Sequence, residues 1–481
     1  MNLEMLLTQI EYCDINGEHS REITGLCFDS RSVKSNDVFF CIKGFLSDGH
    51  RFAAMAAEKG ASVIVAQDPV EGCEGSTVVT VADTRIAMAQ FAGAFYDHPS
   101  KKVKVIGVTG TNGKTTVTNL VKSIFDMAGI KIGLIGTNEI IVGDRHIQSE
   151  RTTPEAPLVQ YYLNEMASEG IEYCVMEISS HSLELHRVTG MQFHLGVFTN
   201  LTHEHLDLHG SMENYAACKA KLFRMCKQGL VNRDDKYSGV LLQDSTCDRV
   251  QSYAIDSGAD FRARNITLSD RGVIFDCVAK EQTLTIKMPM PGRFSVYNAL
   301  AAVGICMICG IDGQSIERGL RITKGAKGRA EFVPVNAPFR VMIDYAHTPD
   351  GLENILTTIR DFCNGRIITV FGAPGDRDAL KRKPMGEMVV KYSDFAIVTS
   401  DNPAGEQAED IIMQIETGMT GFDYIVQPDR ENAIHAAIDM AREGDVILLA
   451  GKGHETYQIV GKEKVPFNEE EIVQKYLANK A

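Results

Sequence analysis

The stretch Lys104-Val105-Ile106-Gly107-Val108-Thr109-Gly110-Thr111-Asn112-Gly113-Lys114-Thr115-Thr116 decides the fold. It opens with β-branched residues and reads as a buried strand. It then breaks into a loop carrying Gly110 and Gly113, and resumes as a helix from about Thr115. Strand, glycine loop and helix make a phosphate cradle, because glycines let backbone N–H groups turn toward an anion and the helix N-terminus adds partial positive charge. Lys114 reaches the β/γ-phosphates, and Thr115 holds the Mg²⁺ that travels with them. The first glycine of the longer P-loop pattern would fall on Val108, with Gly107 beside it, so the match is to the shorter Gly-Thr-Asn-Gly-Lys-Thr-Thr form. A glycine turn before a surface helix is the plainer alternative; Gly-Lys-Thr directly behind a buried strand argues against it.

Around this stretch lie 481 residues, enough for about two to four domains. The chain is 44% hydrophobic and 23% charged, an ordinary globular composition. Its net charge of −14 argues against nucleic acid as the main partner, although a local basic pocket can still take an anionic substrate. No apolar run approaches the roughly 18 residues that span a bilayer, and Met1-Asn2-Leu3-Glu4 lacks the basic start of a signal peptide. A soluble, cytoplasmic monomer is expected. Twelve cysteines are scattered without a framework. The pair Cys306 and Cys309 has C-x-x-C spacing, but it lies in an apolar helical run with no second Cys/His pair, so packing is the reading.

The chain alternates strand and helix patterns in three units: residues 1–101, 102–328 and 329–481. The fold class is therefore α/β with three domains. A central P-loop-type domain with a mostly parallel sheet is flanked by an N-terminal α/β domain and a C-terminal Rossmann-like α/β domain. His98-Pro99-Ser100-Lys101-Lys102 reads as the first linker and Lys324-Gly325-Ala326-Lys327-Gly328-Arg329 as a hinge. Residues 239–290 read as a small antiparallel excursion.

Chemistry gathers at the carboxyl ends of the central strands. Glu177 ends the run Val175-Met176-Glu177 and can offer oxygen to Mg²⁺. The next strand runs into Thr202-His203-Glu204-His205-Leu206-Asp207-Leu208-His209, whose spacing is not that of a helical zinc motif and has no cysteine beside it. A second Mg²⁺ with His205 as a ligand fits better. Tyr215, Lys219 and Phe223 then share one helix face, with Lys221 about 200° from Lys219. At most one lysine faces the core, and Lys219 is the candidate. Bare, its ammonium would repel Mg²⁺.

Seven motifs occur in one order: Gly-Thr-Asn-Gly-Lys-Thr-Thr, Met-Glu-Ile-Ser-Ser-His, Asn-Leu-Thr-His-Glu-His-Leu-Asp-Leu-His-Gly, Asp-Tyr-Ala-His-Thr-Pro-Asp, Gly-Asp-Arg-Asp, Asp-Asn-Pro and Gly-Lys-Gly-His-Glu. This set resembles the Mur ligases, and among them the branch that extends UDP-N-acetylmuramoyl-L-alanyl-D-glutamate by a diamino acid in peptidoglycan precursor synthesis. The resemblance covers all three units.

It implies ATP-dependent amide ligation through an acyl phosphate. By resemblance, Gly110, Thr111, Asn112, Gly113, Lys114, Thr115 and Thr116 hold ATP, Asn298 meets its adenine, and Arg329 and Asp344 its ribose. Thr115, Glu177, His205 and Lys219 are the implied Mg²⁺ ligands, Lys219 as the carbamate that CO₂ forms on it. Lys114, Lys219 and His205 are the implied catalytic residues. Ser30, in Asp29-Ser30-Arg31, looks like the uridine-side contact of the first unit; Thr152, Thr153, Ser179 and Arg187 look like muramoyl-Ala-Glu contacts. Arg382 looks like the arginine that grips the incoming amino acid's carboxylate, with Asp401, Asn402, Ala404, Gly451 and Glu455 in the same pocket.

Three positions depart from the family pattern. Glu204 stands for Asp, Leu185 for a Gln of some members, and Ala404 for the arginine that follows Asp-Asn-Pro in diaminopimelate-adding enzymes. With Asp401, Glu455 and Glu406 nearby, the pocket reads as acidic. It therefore favours the far ammonium of L-lysine, or another simple diamino acid such as ornithine, with meso-diaminopimelate as the alternative. A lysine from elsewhere, such as Lys452, is the way the alternative could hold. A folate polyglutamate ligase would lack the first unit's uridine-binding residues, and a non-enzymatic P-loop switch would not need Arg382 or the Gly-Lys-Gly-His-Glu loop.

Overall fold

A computed structural model describes residues 1–44, 47–280 and 282–480, apart from the side chains of Leu206 and Asp207. It shows three α/β units, each built on its own sheet. The first sheet orders its strands Asp14–Asn16, Thr77–Thr80, Val63–Ala66, Asp37–Phe40 and Gly25–Cys27, antiparallel only at the first pairing.

The central sheet has eleven strands. Across it run Thr283–Met288, Gly272–Ala279, Phe261–Ser269, Arg249–Ala254, Cys226–Asn232, Phe193–Phe198, Lys104–Thr109, Tyr173–Glu177, Ile132–Ile135, Glu139–Val142 and Arg145–Gln148. The middle is parallel and both ends are antiparallel. The antiparallel excursion expected at 239–290 is present in the strands Phe261–Ser269, Gly272–Ala279 and Thr283–Met288, and it continues the central sheet because Arg249–Ala254 pairs parallel with Cys226–Asn232 and with Phe261–Ser269. At the far end Glu139–Val142 folds back through a left-handed Gly143 to form the edge strand Arg145–Gln148, whose burial pattern is mostly exposed.

Alternation along the strands divides the core into two layers, as a sheet covered on both faces requires. From the strand Lys104–Thr109, Ile106 and Val108 pack on the loop helix Lys114–Met127 through Val117, Leu120, Val121 and Ile124, and on the helix Arg293–Ile308. Val105 instead joins Val159, Leu163 and Phe223 on the other face. Cys306 is fully buried in the first of these layers, as packing demands, and burial pushes its thiol well above the usual range.

The third sheet runs Glu331–Phe332, Arg340–Asp344, Val446–Ala450, Ile367–Phe371, Phe395–Val398 and Tyr424–Val426, parallel after its first pairing. Met342 and Leu448 face the helices Pro349–Arg360, Arg382–Tyr392 and Ala408–Glu416, while Val341 and Leu449 face Arg430–Met440 and Glu469–Lys480. The last two helices are joined by a buried ion pair. Arg430 donates to Glu469 Oε1 at 2.8 Å and also to the carbonyls of Ala450 and Ser400, and both side chains are essentially fully buried. Glu469→Ala leaves that guanidinium without its countercharge. It should lower stability by about 3–5 kcal/mol, read as a lower denaturant midpoint for the third unit's unfolding.

Among the described residues no helix is long and apolar enough to cross a membrane.

Candidate active site

Parallel pairing brings three strand ends to one rim: Val108 lies opposite Glu177, and Thr109 opposite Phe198. Loops leaving these strands therefore share a crevice at the carboxyl edge. In the phosphate loop Gly110 and Gly113 both have positive φ. A Cβ on Gly110 would collide with the Thr199 hydroxyl, and one on Gly113 with the Asn298 side-chain oxygen, so both positions require glycine. This also places Asn298 against the loop. Thr111 and Asn112 are gripped by Asn200, whose carbonyl and Oδ1 each accept a backbone N–H at 2.9 Å.

Two lysines converge on one carbonyl. Lys114 Nζ donates to Gly110 O and Thr111 O, each at 2.8 Å, and Lys219 Nζ donates to the same Gly110 O at 3.0 Å. Lys219 is 1% exposed and lies 4.6 Å from the Tyr215 ring centre. Burial first, and then the neighbouring Lys114 charge, hold its pKa well below the ordinary lysine value. Burial also lowers that of Lys114. Lys221 turns outward to Glu184 at 2.7 Å. His181, His205 and His209 cluster about Tyr215, with the His205 and His181 rings 4.8 Å apart.

Glu177 is fully buried. Its carboxylate accepts from Thr115 Oγ1 at 2.9 Å, Thr137 Oγ1 at 3.0 Å and Thr137 N–H at 2.7 Å. A buried carboxylate beside a hydroxyl at a phosphate loop is a hard-oxygen donor set, which suits Mg²⁺. The muramoyl-side candidates adjoin it. Thr152 Oγ1 lies 3.1 Å from Thr137 Oγ1, Thr153 Oγ1 donates to Glu177 O at 2.8 Å, and Ser179 N–H donates to Thr153 Oγ1 at 3.1 Å. Arg187 donates to Thr153 O at 3.0 Å and pairs with Glu155 at 3.0 Å. Ser30 lies apart, in the first unit, where its carbonyl accepts from Lys59.

Arg329 stacks on Tyr345, 4.6 Å from the ring centre. Asp344 accepts from the N–H groups of Ala330 and Ala346, and burial raises its pKa. Asp350, which the sequence reading passed over, reaches from the third unit to the phosphate loop: its Oδ2 accepts from Asn112 Nδ2 at 2.6 Å.

The amino-acid candidates fall into two groups. Asp401, Asn402, Gly451 and Glu455 surround the fully buried Lys452, whose Nζ lies 2.8 Å from Asn402 Oδ1, 3.0 Å from Glu455 and 3.9 Å from Asp401. Arg382 stands in the other group. Its two terminal nitrogens take Glu406 in a bidentate pair at 2.8 Å each, one also donates to Gln414, and the side chain is 1% exposed. Ala404 has φ +50° and is tied to the hairpin Tyr457–Val460/Glu463–Pro466 by its N–H to Ile459 O and its carbonyl to Gly461 N–H. The acidic pocket inferred from sequence is therefore corrected. Glu455 and, at longer range, Asp401 share the single charge of Lys452, and Glu406 pairs with Arg382, so two of its three negative charges are offset inside the fold and one remains.

Among the described residues one set of three carboxylate or imidazole groups has metal-like spacing, Asp48, His50 and Asp68, away from this rim. His50 Nδ1 bonds Asp48 and its Nε2 accepts from the N–H groups of Gln67 and Asp68, so the ring is a structural staple.

A sheet with a glycine-loop rim, flanked by two further α/β units, suits an ATP-dependent ligase, and comparison with known proteins supplies that class. Family models match along the chain: the Mur ligase family catalytic domain at residues 22–96, the Mur ligase middle domain at 108–306 and the Mur ligase glutamate ligase domain at 328–453. The chain is 45% identical over 479 residues to a UDP-N-acetylmuramoyl-L-alanyl-D-glutamate–2,6-diaminopimelate ligase of Clostridium acetobutylicum, covering 99% of both. It is 46% identical over 481 residues to the ligase of the same description from Caldanaerobacter subterraneus subsp. tengcongensis, again covering 99% of both. A solved structure of a ligase so described superposes with a TM-score of 0.70 at 26% identity, covering 100% of this chain and 99% of that one. The chain belongs to the Mur ligase family, whose members are ATP-dependent ligases that form amide bonds.

Proposed function

We propose that this chain joins 2,6-diaminopimelate, in its meso form, to the free side-chain carboxylate of UDP-N-acetylmuramoyl-L-alanyl-D-glutamate, consuming ATP. The observation that carries the reading is the similarity to ligases of that description along the whole chain. The earlier preference for L-lysine rested on Ala404 and on an acidic pocket. The pairing of Asp401, Glu455 and Glu406 with Lys452 and Arg382 leaves one net negative charge of three and so weakens the second support.

In this reading ATP phosphorylates the carboxylate, the amine attacks the acyl phosphate, and phosphate leaves. Lys114 releases the carbonyls of Gly110 and Thr111 to take the phosphoryl oxygens, where preorganised charge contributes most. Asn298, against Gly113, meets the adenine, and Arg329 and Asp344 the ribose. Thr152, Thr153, Ser179 and Arg187 hold the muramoyl dipeptide next to Glu177, and Ser30 the uridine side. Mg²⁺ held by Thr115, Glu177, His205 and modified Lys219 would neutralise charge on the transferring group. A lysine kept as free amine by burial is the form that reacts with CO₂: a nitrogen–carbon bond forms, a proton leaves the nitrogen, and an anion replaces the neutral amine. Arg382 reaches a substrate carboxylate by exchanging Glu406 for it. The units 1–101, 102–328 and 329–481 close over the acyl phosphate to exclude water, turning about Gly325 and Gly328, both at positive φ.

The test is kcat/KM for meso-diaminopimelate, L-lysine and L-ornithine side by side with one nucleotide substrate. A preference for meso-diaminopimelate of at least about a hundredfold is expected, the scale on which an unpaired buried charge discriminates. A clear preference for L-lysine would overturn the assignment. It would return the weight to Ala404.

A further inference from the structure

The third unit meets the phosphate loop through one carboxylate oxygen. Asp350 lies in the first turn of the helix Pro349–Arg360, behind the N-cap Thr348. Its Oδ2 accepts from Asn112 Nδ2 at 2.6 Å, Thr202 Oγ1 at 3.2 Å and Asn354 Nδ2 at 3.1 Å. Asn354 steadies the carboxylate from its own helix; the other two donors belong to the central unit. The backbone of Asn112 is already committed. Its N–H goes to Asn200 Oδ1, and its carbonyl accepts from Thr199 Oγ1 at 2.6 Å and Asn200 Nδ2 at 3.2 Å. Thr202 N–H in turn donates to Thr111 Oγ1 at 3.0 Å, which lies 3.3 Å from the Tyr215 hydroxyl. Asp350 thus closes a ring of bonds around residues 111 and 112, directly ahead of Lys114, and that ring continues to the ring over which Lys219 sits.

We propose that Asp350 is a positioning residue that makes docking of the third unit the condition for the phosphate loop's reactive shape. Without that oxygen the Asn112 side chain and Thr202 lose a shared anchor, and the loop keeps its nucleotide but holds the phosphoryl group less well placed. Displacement of reacting groups by about 1 Å can cost a hundredfold in rate. The arrangement couples phosphoryl transfer to the arrival of the unit proposed to carry the amino acid. The inference rests on that reading of the third unit.

The experiment uses the full chain and four variants: Asp350→Ala, Asp350→Asn, Asn112→Ala and the Asp350→Ala/Asn112→Ala double. Phosphate release with all substrates gives kcat, and calorimetry with a non-hydrolysable ATP analogue gives Kd. Asp350→Ala should lower kcat at least about tenfold, the scale of one lost charge-assisted hydrogen bond, with analogue Kd within about threefold of wild type. Asp350→Asn, which keeps an acceptor oxygen, should recover most of the rate, and the double variant should be no slower than Asn112→Ala alone. A wild-type kcat in Asp350→Ala, or fully additive losses in the double, would overturn the proposal. Should Asp350→Ala fail to fold, Thr202→Val combined with Asn112→Ala removes both central-unit donors to Asp350 and should lower kcat at least about tenfold, and a wild-type kcat in it would overturn the proposal. Failure of the underlying reading would look different: wild-type chain that releases no extra phosphate when the diamino acid is added.

Discussion

Lys114→Ala is expected to lower kcat for phosphate release by about two to three orders of magnitude, the range for removing one preorganised donor from a developing negative charge. The fold should survive. The carbonyl of Gly110 keeps a donor in Lys219, so the variant strands little more than Thr111 O in a loop otherwise held by Asn200. Because the ammonium acts on the transition state, the loss should fall mainly on kcat, with the KM for the nucleotide-linked dipeptide near wild type. Rapid-quench measurement of acyl phosphate formation isolates the step. Near-normal phosphoryl transfer in this variant would remove the assignment of the loop to ATP.

Lys219→Ala is expected to be nearly inactive, and small carboxylates such as formate or acetate should partly restore it by supplying the missing anion. The geometry explains why Lys219 and not Lys221 is concerned. Lys219 is buried over Tyr215 with its nitrogen on Gly110 O, whereas Lys221 is paired with Glu184 at the surface. Lys221→Ala should therefore stay within about twofold of wild type, in keeping with the small worth of an exposed pair. Carbon-13 NMR of wild-type protein under labelled CO₂ should give one carbamate resonance that Lys219→Ala lacks. An active Lys219→Ala, or a carbamate signal that persists in it, would refute the modification.

What the sequence disclosed was local in cause. The phosphate loop could be read because a buried strand, two glycines and a helix start are set by neighbouring residues. Helical spacing alone put Lys219 and Tyr215 on one face and Lys221 on the other. The hairpin 139–148 escaped notice although Gly143-Asp144 behind the apolar run Ile140-Ile141-Val142 is a turn signal, because the returning strand Arg145-His146-Ile147-Gln148 is mostly polar. Charge bookkeeping failed for a deeper reason. Asp401, Glu406 and Glu455 read as a negative pocket because only the fold sets which carboxylate Lys452 and Arg382 each meet. Asn402 meets Lys452 across 50 positions, and Arg382 meets Glu406 across 24. Asp350 stood in a motif already quoted, yet its partner Asn112 lies 238 positions away. No periodicity reports such a contact.

The edge strand Arg145–Gln148 carries a consequence for how the protein behaves at high concentration. An eleven-stranded sheet must end somewhere, and an open end is a template for a foreign strand. Here the last strand is four residues long and carries charge. Arg145 is held by Glu165 at 3.1 Å and Glu169 at 2.7 Å, and His146 by Glu139 at 2.6 Å. A strand docking along it would have to lie against these fixed charges and find few residues to pair with. At the opposite end the helix Gly313–Ile322 packs against Thr283–Met288. The sheet is thus guarded at one end by charge and brevity and braced at the other by a helix, which works against edge-to-edge aggregation of crowded copies.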